Sequence, residues 1–430
     1  MTGRIDTNPP RGMRDLLPDE VEARDRATAT ILDVYRGHGF QRIETPAVES
    51  IALLTRSEGG ENEKLIFKIL KRGARLEAGQ DVDALVDLGL RFDLTVPLAR
   101  YYANNHARLP HPLKAIQIGP VWRAERPQAG RFRQFTQCDI DILGVASETA
   151  EIELIVATAE ALLALGLGDL TVRVNDRRIL AALVGHCGFD EARSGSVFVA
   201  LDKLDKIGAA GVARELEAEG HPAKAIDAVL ALLGEETGPA RQLQALPALL
   251  GPRWDAGAGR ALARILGETQ PYGRDRFRVA FDPTLVRGMG YYTGPIFEIQ
   301  HRDARSSIAG GGRYDRMIGR LLGRDVPATG FSIGFERVIA ILLERGAAAR
   351  AGGERIALVV DEQAATLAPA LRLARELREQ GSVVSLEIRS RKAGRQFQDL
   401  ERRGFGRIGV VAEDGTVQWR SRRGTAVGDA

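Results

Sequence analysis

The stretch Ile116–Gly144, IQIGPVWRAERPQAGRFRQFTQCDIDILG, decides the fold, because its two ends have strand patterns and its middle is rich in arginine. The first strand is predicted to end at Arg123. The loop then contains Arg126, Pro127, Gly130, Arg131 and Arg133. Alternate residues of a strand share a face, so the return strand places Phe135, Gln137, Asp139 and Asp141 on one face and Thr136, Cys138, Ile140 and Ile142 on the other. The pattern predicts a β-hairpin with one polar face.

The loop of this hairpin has the chemistry of a polyphosphate clamp. Guanidinium groups bind phosphate oxygens in a bidentate manner, and arginines surround the predicted turn. The alternative is a solvated hairpin tip that binds nothing. Asp139 and Asp141, in line on the return strand, disfavour that alternative, because like charges so close together require cations or a substrate amine nearby.

A second polar segment precedes the hairpin at Leu90–Leu98, LRFDLTVPL. As a strand it would place Leu90, Phe92, Leu94 and Val96 on one face. The opposite face would carry Arg91, Asp93 and Thr95. A half-exposed strand with a solvated polar face is the alternative to a binding role.

Two glycine-rich segments follow later in the chain. Leu285–Glu298, LVRGMGYYTGPIFE, contains Arg287 beside glycines and the pair Tyr291-Tyr292. The segment Gly310–Tyr314, GGGRY, overlaps a predicted turn at 309–312 and is predicted as a second loop that a ligand can approach closely. Glycines allow a ligand to approach the backbone closely, although plain turns contain them too.

The spacing of apolar residues predicts an α+β fold. Pro18–Phe40 has the period of a helix, whereas Leu85–Leu143 alternates with period two and predicts short strands. A stretch rich in Ala, Leu, Lys and Glu at about 177–269 predicts a small helical module inserted into a mixed sheet.

A small-residue stretch at Ala347–Glu354 predicts a linker. It separates a domain at 1–346 from a second domain at 354–430. Strand and helix patterns alternate in the second domain, which predicts a small α/β fold.

The composition excludes several classes of protein. The chain has 430 residues, 44% hydrophobic and 27% charged, which is typical of two or three globular domains. Its two cysteines, Cys138 and Cys187, exclude a disulfide scaffold and a multi-cysteine zinc site. Lys and Arg number 60 against 57 Asp and Glu, a net charge of +3, so a nucleic acid would have to bind a local patch.

Other patterns narrow the location and the chemistry. No apolar run reaches the ~18 residues that span a bilayer, and no secretory signal follows Met1, so we expect a cytoplasmic protein without a membrane partner. The sequence has no Gly-Lys-Ser/Thr phosphate loop. It also has no close-spaced histidine pair for a metal and no arrangement typical of a Ser or Cys triad.

Together these segments resemble the class II aminoacyl-tRNA synthetases, and specifically the histidyl-tRNA synthetase family. The start of the family is matched by Arg11-Gly12-Met13-Arg14-Asp15, and Pro46 lies where the dimer-forming first class motif should be. The second class motif is matched by Arg123–Pro127 with Arg131, Phe135, Gln137 and Asp141, and the third by Gly330–Arg337. Signatures peculiar to the histidine enzymes are matched by Arg287-Gly288 with Tyr291-Tyr292, and by Gly310–Asp315. The likeness covers nearly the whole chain.

The resemblance implies a fold and an activity. The fold would be a class II antiparallel sheet with helices, carrying the inserted module and an anticodon-binding-like terminal domain at 354–430. Compared with that of the family, this terminal domain is short after Ala412. The activity would be the ATP-dependent ligation of L-histidine to tRNA(His) through a histidyl-adenylate. ATP would be a substrate accompanied by Mg²⁺, with no tightly bound metal held by the protein, and the enzyme would be a homodimer.

The resemblance also implies a role for each matched residue. Arg123 and Arg287 would hold the α-phosphate as catalytic residues. Arg131 and Arg337 would hold the outer phosphates, and Phe135 would stack on adenine beside Glu125. Asp93, Thr95 and Gln137 would take the α-amine of histidine. Asp141 and Tyr292 would read the imidazole, and Tyr291 and Arg287 complete the predicted histidine-binding set.

The sequence departs from the family at two points. Gly290 stands where the family usually has an aspartate that could support Arg287, which leaves the local geometry open. Asp93 and Asp141 are aspartates where many bacterial members have glutamate. Two rival functions are a synthetase-like regulatory subunit of ATP phosphoribosyltransferase, which lacks an anticodon-binding domain, and a duplicated synthetase with a different acceptor.

The terminal domain carries a basic stretch that suits RNA phosphates. Between Arg389 and Arg407 seven basic residues stand against two acids. A local excess of positive charge of this kind is typical of a phosphate-binding surface. The predicted tRNA-binding residues are Arg389, Arg391, Lys392 and Arg395. A solvated helix is the alternative.

Overall fold

The computed structural model describes residues 5–55, 65–73, 82–127, 132–235, 237–287, 290–304, 306–345, 353–362 and 365–421. The chain divides into two units, Met1–Ala348 and Ala349–Ala430. Within the described ranges, no helix has both the length and the apolar composition needed to cross a bilayer.

The first unit combines helices with a large sheet. Its helices are α1 (Pro18–Gly37), α2 (Ile51–Thr55), α3 (Thr95–Asn105), α4 (Thr149–Ala164), α5 (Arg177–His186), α6 (Ser194–Leu201), α7 (Leu204–Ala218), α8 (Ala223–Gly234), α9 (Leu246–Leu250), α10 (Ala256–Gly273), α11 (Asp315–Leu322) and α12 (Phe335–Glu344). Its strands are β1 (Gln41–Arg42), β2 (Val48–Ser50), β3 (Lys68–Leu70), β4 (Val86–Leu90), β5 (Leu113–Trp122), β6 (Gln134–Leu143), β7 (Leu170–Asp176), β8 (Phe277–Phe281), β9 (Pro295–His301), β10 (Ala309–Arg313) and β11 (Ala328–Ile333).

The central sheet has the strand order β1-β5-β6-β11-β10-β9-β7-β8 among the described residues. Its neighbours pair in antiparallel fashion except at the two edges, where β1–β5 and β7–β8 are parallel. The predicted hairpin is β5–β6, in register from Leu113 opposite Leu143 to Trp122 opposite Gln134. The predicted α+β class is confirmed.

One face of this sheet packs on helices in the main core, whereas α3 and α11 cover only part of the other face, around Leu113, Leu143 and Ala328, and leave space beside them for a site. Helices α1, α4 and α12 cover the first face, where Cys138, Ile140 and Ile142 of β6 lie in the main hydrophobic core. Because side chains alternate along a strand, the intervening residues of β6 point to the opposite side. The prediction that β6 has one apolar and one polar face is therefore correct.

The predicted strand at Leu90–Leu98 is wrong. Strand β4 ends at the first residue of that range, and helix α3 begins at Thr95. Asp93 Oδ1 accepts a hydrogen bond from the backbone N–H of Val96 at 3.0 Å, which satisfies a donor in the first helical turn. Pro97 fits the same turn, because an N–H at that point would have no helical partner. Asp93 is consequently buried at a helix start instead of lying on a solvated strand face.

The glycine-rich segment at 309–312, predicted as a turn, is strand β10, which pairs with β9 and β11. A Cβ atom on Gly311 would lie 2.0 Å from the carbonyl oxygen of Gly330. A Cβ atom on Gly310 would lie 1.8 Å from Arg287 Nη1. These glycines are required by atoms of distant residues, which a local propensity for turns does not reveal.

Helices α5–α10 lie between β7 and β8 in the chain. Residues of α5–α8, such as Val197, Phe198, Leu216 and Ile226, form a second hydrophobic cluster together with Leu285, Val286 and Ile296. Residues of α9 and α10 belong to the main core instead. The last of these helices, α10, packs on α4 and β8 and so returns the chain to the central sheet.

The second unit is a small α/β structure. Its elements are β12 (Arg355–Val360), α13 (Leu367–Glu379), β13 (Val383–Ile388), α14 (Ala393–Arg402), β14 (Arg407–Val411) and β15 (Val417–Ser421). The strand order is β13-β12-β14-β15, with β12 parallel to both of its neighbours and β15 antiparallel to β14. Strand β15 follows Ala412 and pairs with β14. A turn with Gly415 at a φ of +89° allows the chain to reverse there.

Candidate active site

A cavity of about 340 Å³ lies on the polar side of the central sheet. Its lining includes these predicted site residues: Asp93, Thr95, Arg123, Glu125, Phe135, Gln137, Asp141, Arg287, Tyr291, Tyr292 and Arg337. Arg131 lies outside the described residues. Four sequence segments that are up to 244 residues apart, from Asp93 to Arg337, therefore meet in one place (337 − 93 = 244).

Two arginines enter the cavity from different elements. Arg123, just after β5, donates from Nε to the carbonyl oxygen of Phe92 at 3.0 Å, and its guanidinium carbon lies 5.1 Å from the centre of the Phe135 ring. The guanidinium of Arg287 lies 6.0 Å from the centre of the Tyr292 ring and occupies the space above Gly310. These contacts orient two permanent positive charges toward the same cavity.

Three carboxyl groups lie in the same cavity. Asp93, Asp139 and Asp141 are 2%, 4% and 3% exposed. None of them forms an ion pair with an arginine or lysine of the described residues, although the charge of Arg123 acts on Asp93 and Asp139. Buried carboxylates without a paired cation are rare, because desolvation of the charge is costly. The cavity is therefore suited to a ligand that brings positive charge.

The pKa values reflect this burial. Burial raises the pKa of Asp93 to about 6 and that of Asp141 to about 7. Burial and the charge of Asp141 raise the pKa of Asp139 well above its ordinary value. Tyr314 opposes the shift at Asp141, because its hydroxyl donates to Oδ1 at 2.5 Å and favours the ionised carboxylate.

Replacing Asp141 by asparagine is expected to stabilise the ligand-free protein strongly at pH 8 and much less at pH 5. Because the pKa of Asp141 is about 7 in the fold and lower in the unfolded chain, the native state holds the extra proton between about pH 4 and pH 7. Stability therefore falls as the pH rises through that window. Asparagine keeps the oxygen that accepts from Tyr314 but carries no charge.

Thermal unfolding without ligand at pH 5 and pH 8 measures this effect. We expect Asp141→Asn to raise the melting temperature by several degrees more at pH 8 than at pH 5. Equal melting temperatures of wild type and variant at pH 8 would show that the charge of Asp141 is compensated in the free protein.

Three acceptor oxygens in this cavity have no hydrogen-bond partner among the described residues. They are Asp93 Oδ2, Gln137 Oε1 and Asp139 Oδ1. Buried polar atoms in folded proteins are nearly always hydrogen-bonded. These three oxygens therefore indicate a bound group that offers several donors.

A cluster of tyrosines lies against the carboxyl groups. The ring centres of Tyr291 and Tyr292 are 4.8 Å apart, and Tyr291 meets Tyr314 edge to face at 6.1 Å. A Cβ atom on Gly312 would lie 2.9 Å from Tyr292 Cδ1, so this glycine of β10 makes room for the ring. The cluster provides a flat, partly apolar wall beside Asp141.

Glu336 joins the third predicted motif to the hairpin. Its carboxylate accepts from both Nη atoms of Arg24, at 2.7 and 2.8 Å, and from the backbone N–H of Thr136 at 3.0 Å. Arg337, the next residue, donates from Nη1 to the carbonyl oxygen of Ser307. This network fixes the start of α12 against β6 and thereby positions Arg337 at the cavity.

The N-terminal segment supports the arginine-rich loop. The backbone N–H of Arg133 donates to the carbonyl oxygen of Gly12 at 2.7 Å. Gly12 has a φ of +84°, and a Cβ atom there would lie 2.7 Å from Pro127 Cγ. The guanidinium of Arg14 lies 4.6 Å from the centre of the Phe132 ring. Gly12 and Arg14 thus contact the described parts of the loop on both sides of residues 128–131.

Sequence reasoning did not include Asp139, Tyr314 or Glu336 among the site residues. A signal for Asp139 was present, because it alternates with Gln137 and Asp141 on one face of the predicted strand. Tyr314 and Glu336 stood inside segments that were matched to the family. Their contacts with Asp141 and with Arg24 join residues 173 and 312 positions apart, so no local pattern reveals them.

The predicted tRNA-binding residues lie in the second unit. Arg389, Arg391, Lys392 and Arg395 are exposed. The later basic residues of the stretch are paired with acids, Arg402 with Asp399, Arg403 with Glu387 and Arg407 with Glu354. The unpaired positive charge predicted for this stretch is therefore concentrated at its beginning, among 389–395.

The fold and the cavity define a class II aminoacyl-tRNA synthetase. The crystal structure of histidyl-tRNA synthetase from Nostoc sp. PCC 7120 superposes with a TM-score of 0.75 at 27% identity and covers 97% of each chain. The histidine–tRNA ligase of Leifsonia xyli is 49% identical over 421 residues, which cover 94% of this chain and 95% of the relative. A family model described as histidyl-tRNA synthetase matches residues 12–338. The chain belongs to the histidyl-tRNA synthetase family.

A further structural relative bears on the regulatory alternative. A protein from Bacillus halodurans, described as an ATP phosphoribosyltransferase regulatory subunit/histidyl-tRNA synthetase, superposes with a TM-score of 0.72 at 22% identity. It covers 92% of this chain and 97% of its own. At that identity the likeness concerns the fold alone, whereas the 49% identity to a histidine–tRNA ligase favours the enzyme.

Proposed function

We propose that this protein ligates L-histidine to tRNA(His) through a histidyl-adenylate, with ATP as the energy source. The observation on which the proposal rests is the shared cavity, in which Arg123 and Arg287 accompany the buried carboxyl groups of Asp93 and Asp141. The arginines suit a phosphate, and the carboxyl groups suit an amine and an imidazole N–H. ATP and histidine would therefore bind side by side.

The first step needs no nucleophile from the protein. The carboxylate of histidine is already ionised at neutral pH and attacks the α-phosphorus of ATP, and pyrophosphate leaves. Negative charge on the phosphoryl oxygens is stabilised by cations that are already in position. Arg123 and Arg287 supply this charge, and Arg337 holds the outer phosphates of ATP, to which Mg²⁺ is bound as part of the substrate. We propose Arg131 as a further ligand of these phosphates.

The remaining residues orient the two substrates. Phe135 stacks on adenine beside Glu125, both of which line the cavity. Asp93, Thr95 and Gln137 take the α-ammonium group. Asp141 accepts from an imidazole N–H, next to Tyr291 and Tyr292. The terminal adenosine of tRNA then attacks the histidyl-adenylate and releases AMP.

Purified protein is expected to exchange labelled pyrophosphate into ATP only when histidine is present. Exchange reports reversible adenylate formation and does not require tRNA, so it tests the first step alone. Omission of histidine, or its replacement by other amino acids, is the control. Absence of exchange, together with tight binding to an ATP phosphoribosyltransferase catalytic subunit, would favour the regulatory function instead.

We propose that the second unit binds tRNA through Arg389, Arg391, Lys392 and Arg395. All four side chains are exposed, and none of them forms an ion pair with another residue of the described ranges, which supports this role. The unit would serve as the anticodon-binding domain at 354–430. Charging of tRNA(His), and of no other acceptor, would distinguish the enzyme from a duplicated synthetase with a different substrate.

Charging of tRNA is expected to weaken steeply as salt rises from about 50 to about 200 mM, because bound counterions are released when arginines contact phosphates. A variant with alanine at all four positions should weaken tRNA binding and show a shallower salt dependence. Pyrophosphate exchange by the same variant is the control and should be unchanged. If the variant and the wild type had the same salt dependence, these four residues would not contact tRNA.

We also propose that the protein is a cytoplasmic homodimer. The three-stranded sheet β2-β4-β3 supports this, because it follows Pro46 and leaves Val48, Leu70 and Leu88 exposed. Exposed apolar side chains on a sheet face are typical of a covered interface. Sedimentation of the wild type and of Leu88→Asp would test the dimer.

A further inference from the structure

Asp139 is a buried carboxyl group of the cavity to which the proposed mechanism gives no role. It lies on β6, with Gln117 of β5 on one side and Ser332 of β11 on the other. It lines the cavity and is 4% exposed. A buried ionisable residue with no structural ion pair among the described residues is a candidate for direct contact with the substrate.

The contacts of Asp139 leave one oxygen available. Gln137 Nε2 donates to Oδ2 at 3.4 Å, and the nearby hydroxyl of Ser332 opposes the rise in the pKa of this carboxyl group. Oδ1 has no partner among the described residues. The side chain is thus held at one oxygen and leaves the other to a ligand.

The number and position of such oxygens match one chemical group. Asp93 Oδ2, Gln137 Oε1 and Asp139 Oδ1 all belong to residues that line the same cavity, and each lacks a partner among the described residues. An ammonium group has three N–H donors and no acceptor. Three unpartnered acceptors, two of them on acids, correspond to the three donors of one ammonium.

The charges of the three carboxyl groups also favour an ammonium group as the ligand. Asp93 and Asp139 affect each other electrostatically, and so do Asp139 and Asp141. Three carboxyl groups so close together can all ionise only if a cation joins them. Imidazole offers a neutral N–H to Asp141, whereas the α-ammonium of an amino acid offers a full positive charge to the other two.

We infer that Asp139 is a histidine-binding residue that accepts a hydrogen bond from the substrate's α-ammonium group, alongside Asp93, Thr95 and Gln137. The inference rests on the proposed function and extends it, because it adds a second acid to the ammonium site. The site then selects amino acids over compounds that lack the amine. Its selectivity arises because loss of the ammonium leaves two buried acids without a partner.

Competition between histidine and 3-(imidazol-4-yl)propionate tests this role. The second compound has the imidazole and the carboxylate of histidine but no amine. Equilibrium binding of both compounds is measured for the wild type, Asp139→Asn and Asp141→Asn. Asparagine has nearly the shape of aspartate, so each variant removes a charge with little change in volume.

The expected results differ between the two variants. Asp139→Asn should weaken histidine binding roughly 10–100-fold, the range for a hydrogen bond to a charged group, and should leave binding of imidazolylpropionate unchanged or stronger. Asp141→Asn is the matched control and should weaken both compounds, because both contain the imidazole. Retained binding of imidazolylpropionate also shows that the Asp139→Asn cavity is intact.

Two results would overturn the inference. Equal losses for both compounds in Asp139→Asn would assign the residue a structural role, and no loss for either would remove it from the ammonium site. If the proposed function is wrong, the wild type itself will not bind histidine, which is distinct from a loss of binding in the variant alone. In that case the role of Asp139 falls with it.

Discussion

Arg287→Ala is expected to slow histidine-dependent pyrophosphate exchange by roughly 10²–10³-fold, the usual loss when one preorganised donor to a developing charge is removed. Arg287 lines the cavity together with Arg123, and its guanidinium lies against Gly310 and near the Tyr292 ring. In the proposed mechanism its charge acts mainly on the phosphoryl group during transfer. An interaction that strengthens in the transition state affects the rate more than the binding of the substrate, so histidine affinity should change far less.

Exchange kinetics and equilibrium binding of histidine measure the two effects separately. Arg287→Lys is the matched variant, because it keeps a positive charge but loses the planar pair of donors. We expect its exchange rate to lie between those of the wild type and of Arg287→Ala. Full exchange activity in Arg287→Ala would show that Arg287 does not contact the α-phosphate. A large loss of histidine binding would instead assign its main role to the amino acid.

Gly310→Ala is expected to slow exchange by about 10²-fold, although residue 310 has no side chain that could act in the reaction. The new Cβ atom would lie 1.8 Å from Arg287 Nη1 and 2.6 Å from its Cζ. The guanidinium is the flexible end of a long side chain, so it moves while the strand stays in place. Displacement of a catalytic group by about 1 Å can reduce a rate by about 10²-fold.

Exchange rates and melting temperatures together test this explanation. We expect Gly310→Ala to retain most of the thermal stability of the wild type. Gly267→Ala is the control, because a Cβ atom on this exposed glycine of α10 would meet no atom within 4 Å beyond its own helix. An unchanged exchange rate in Gly310→Ala would mean that Arg287 acts from another position. Unfolding of the variant would mean that β10 itself cannot accept a side chain.

The hairpin β5–β6 shows how far local patterns reach. Alternation of apolar and polar residues predicted both strands and assigned Cys138, Ile140 and Ile142 to the core, where they lie. The same alternation placed Gln137, Asp139 and Asp141 on the opposite face, which lines the cavity. Strand periodicity was informative for residues 137–142 because one face of the sheet is covered by the main core there and the other face borders the cavity. The same parity does not place Leu143 in the cavity, because α3 and α11 cover the sheet at that end.

Alternation misled at Leu90–Leu98 because two different structures share the same short pattern. Apolar residues at every second position are typical of a strand, but they also occur where a loop leads into a helix and both sides of the loop are buried. The segment enters a helix because Val96 N–H donates to Asp93 Oδ1 and because Pro97 lies in the first turn. Asp93 nevertheless reaches the cavity, since a helix start can present a side chain as well as a strand can.

The amino-acid sequence by itself determined the class of fold, the hairpin with its arginine-rich loop and the residue types that bind phosphate and amine, because these depend on local periodicity and on side-chain chemistry. Only the tertiary structure decided that Arg287 lies over Gly310, that Tyr314 donates to Asp141 and that Asp139 keeps an oxygen without a partner among the described residues. Such relations join residues far apart in the chain. They arise when strands pair in one register and bury these groups together. Spacing along the chain does not reveal which distant residues come into contact.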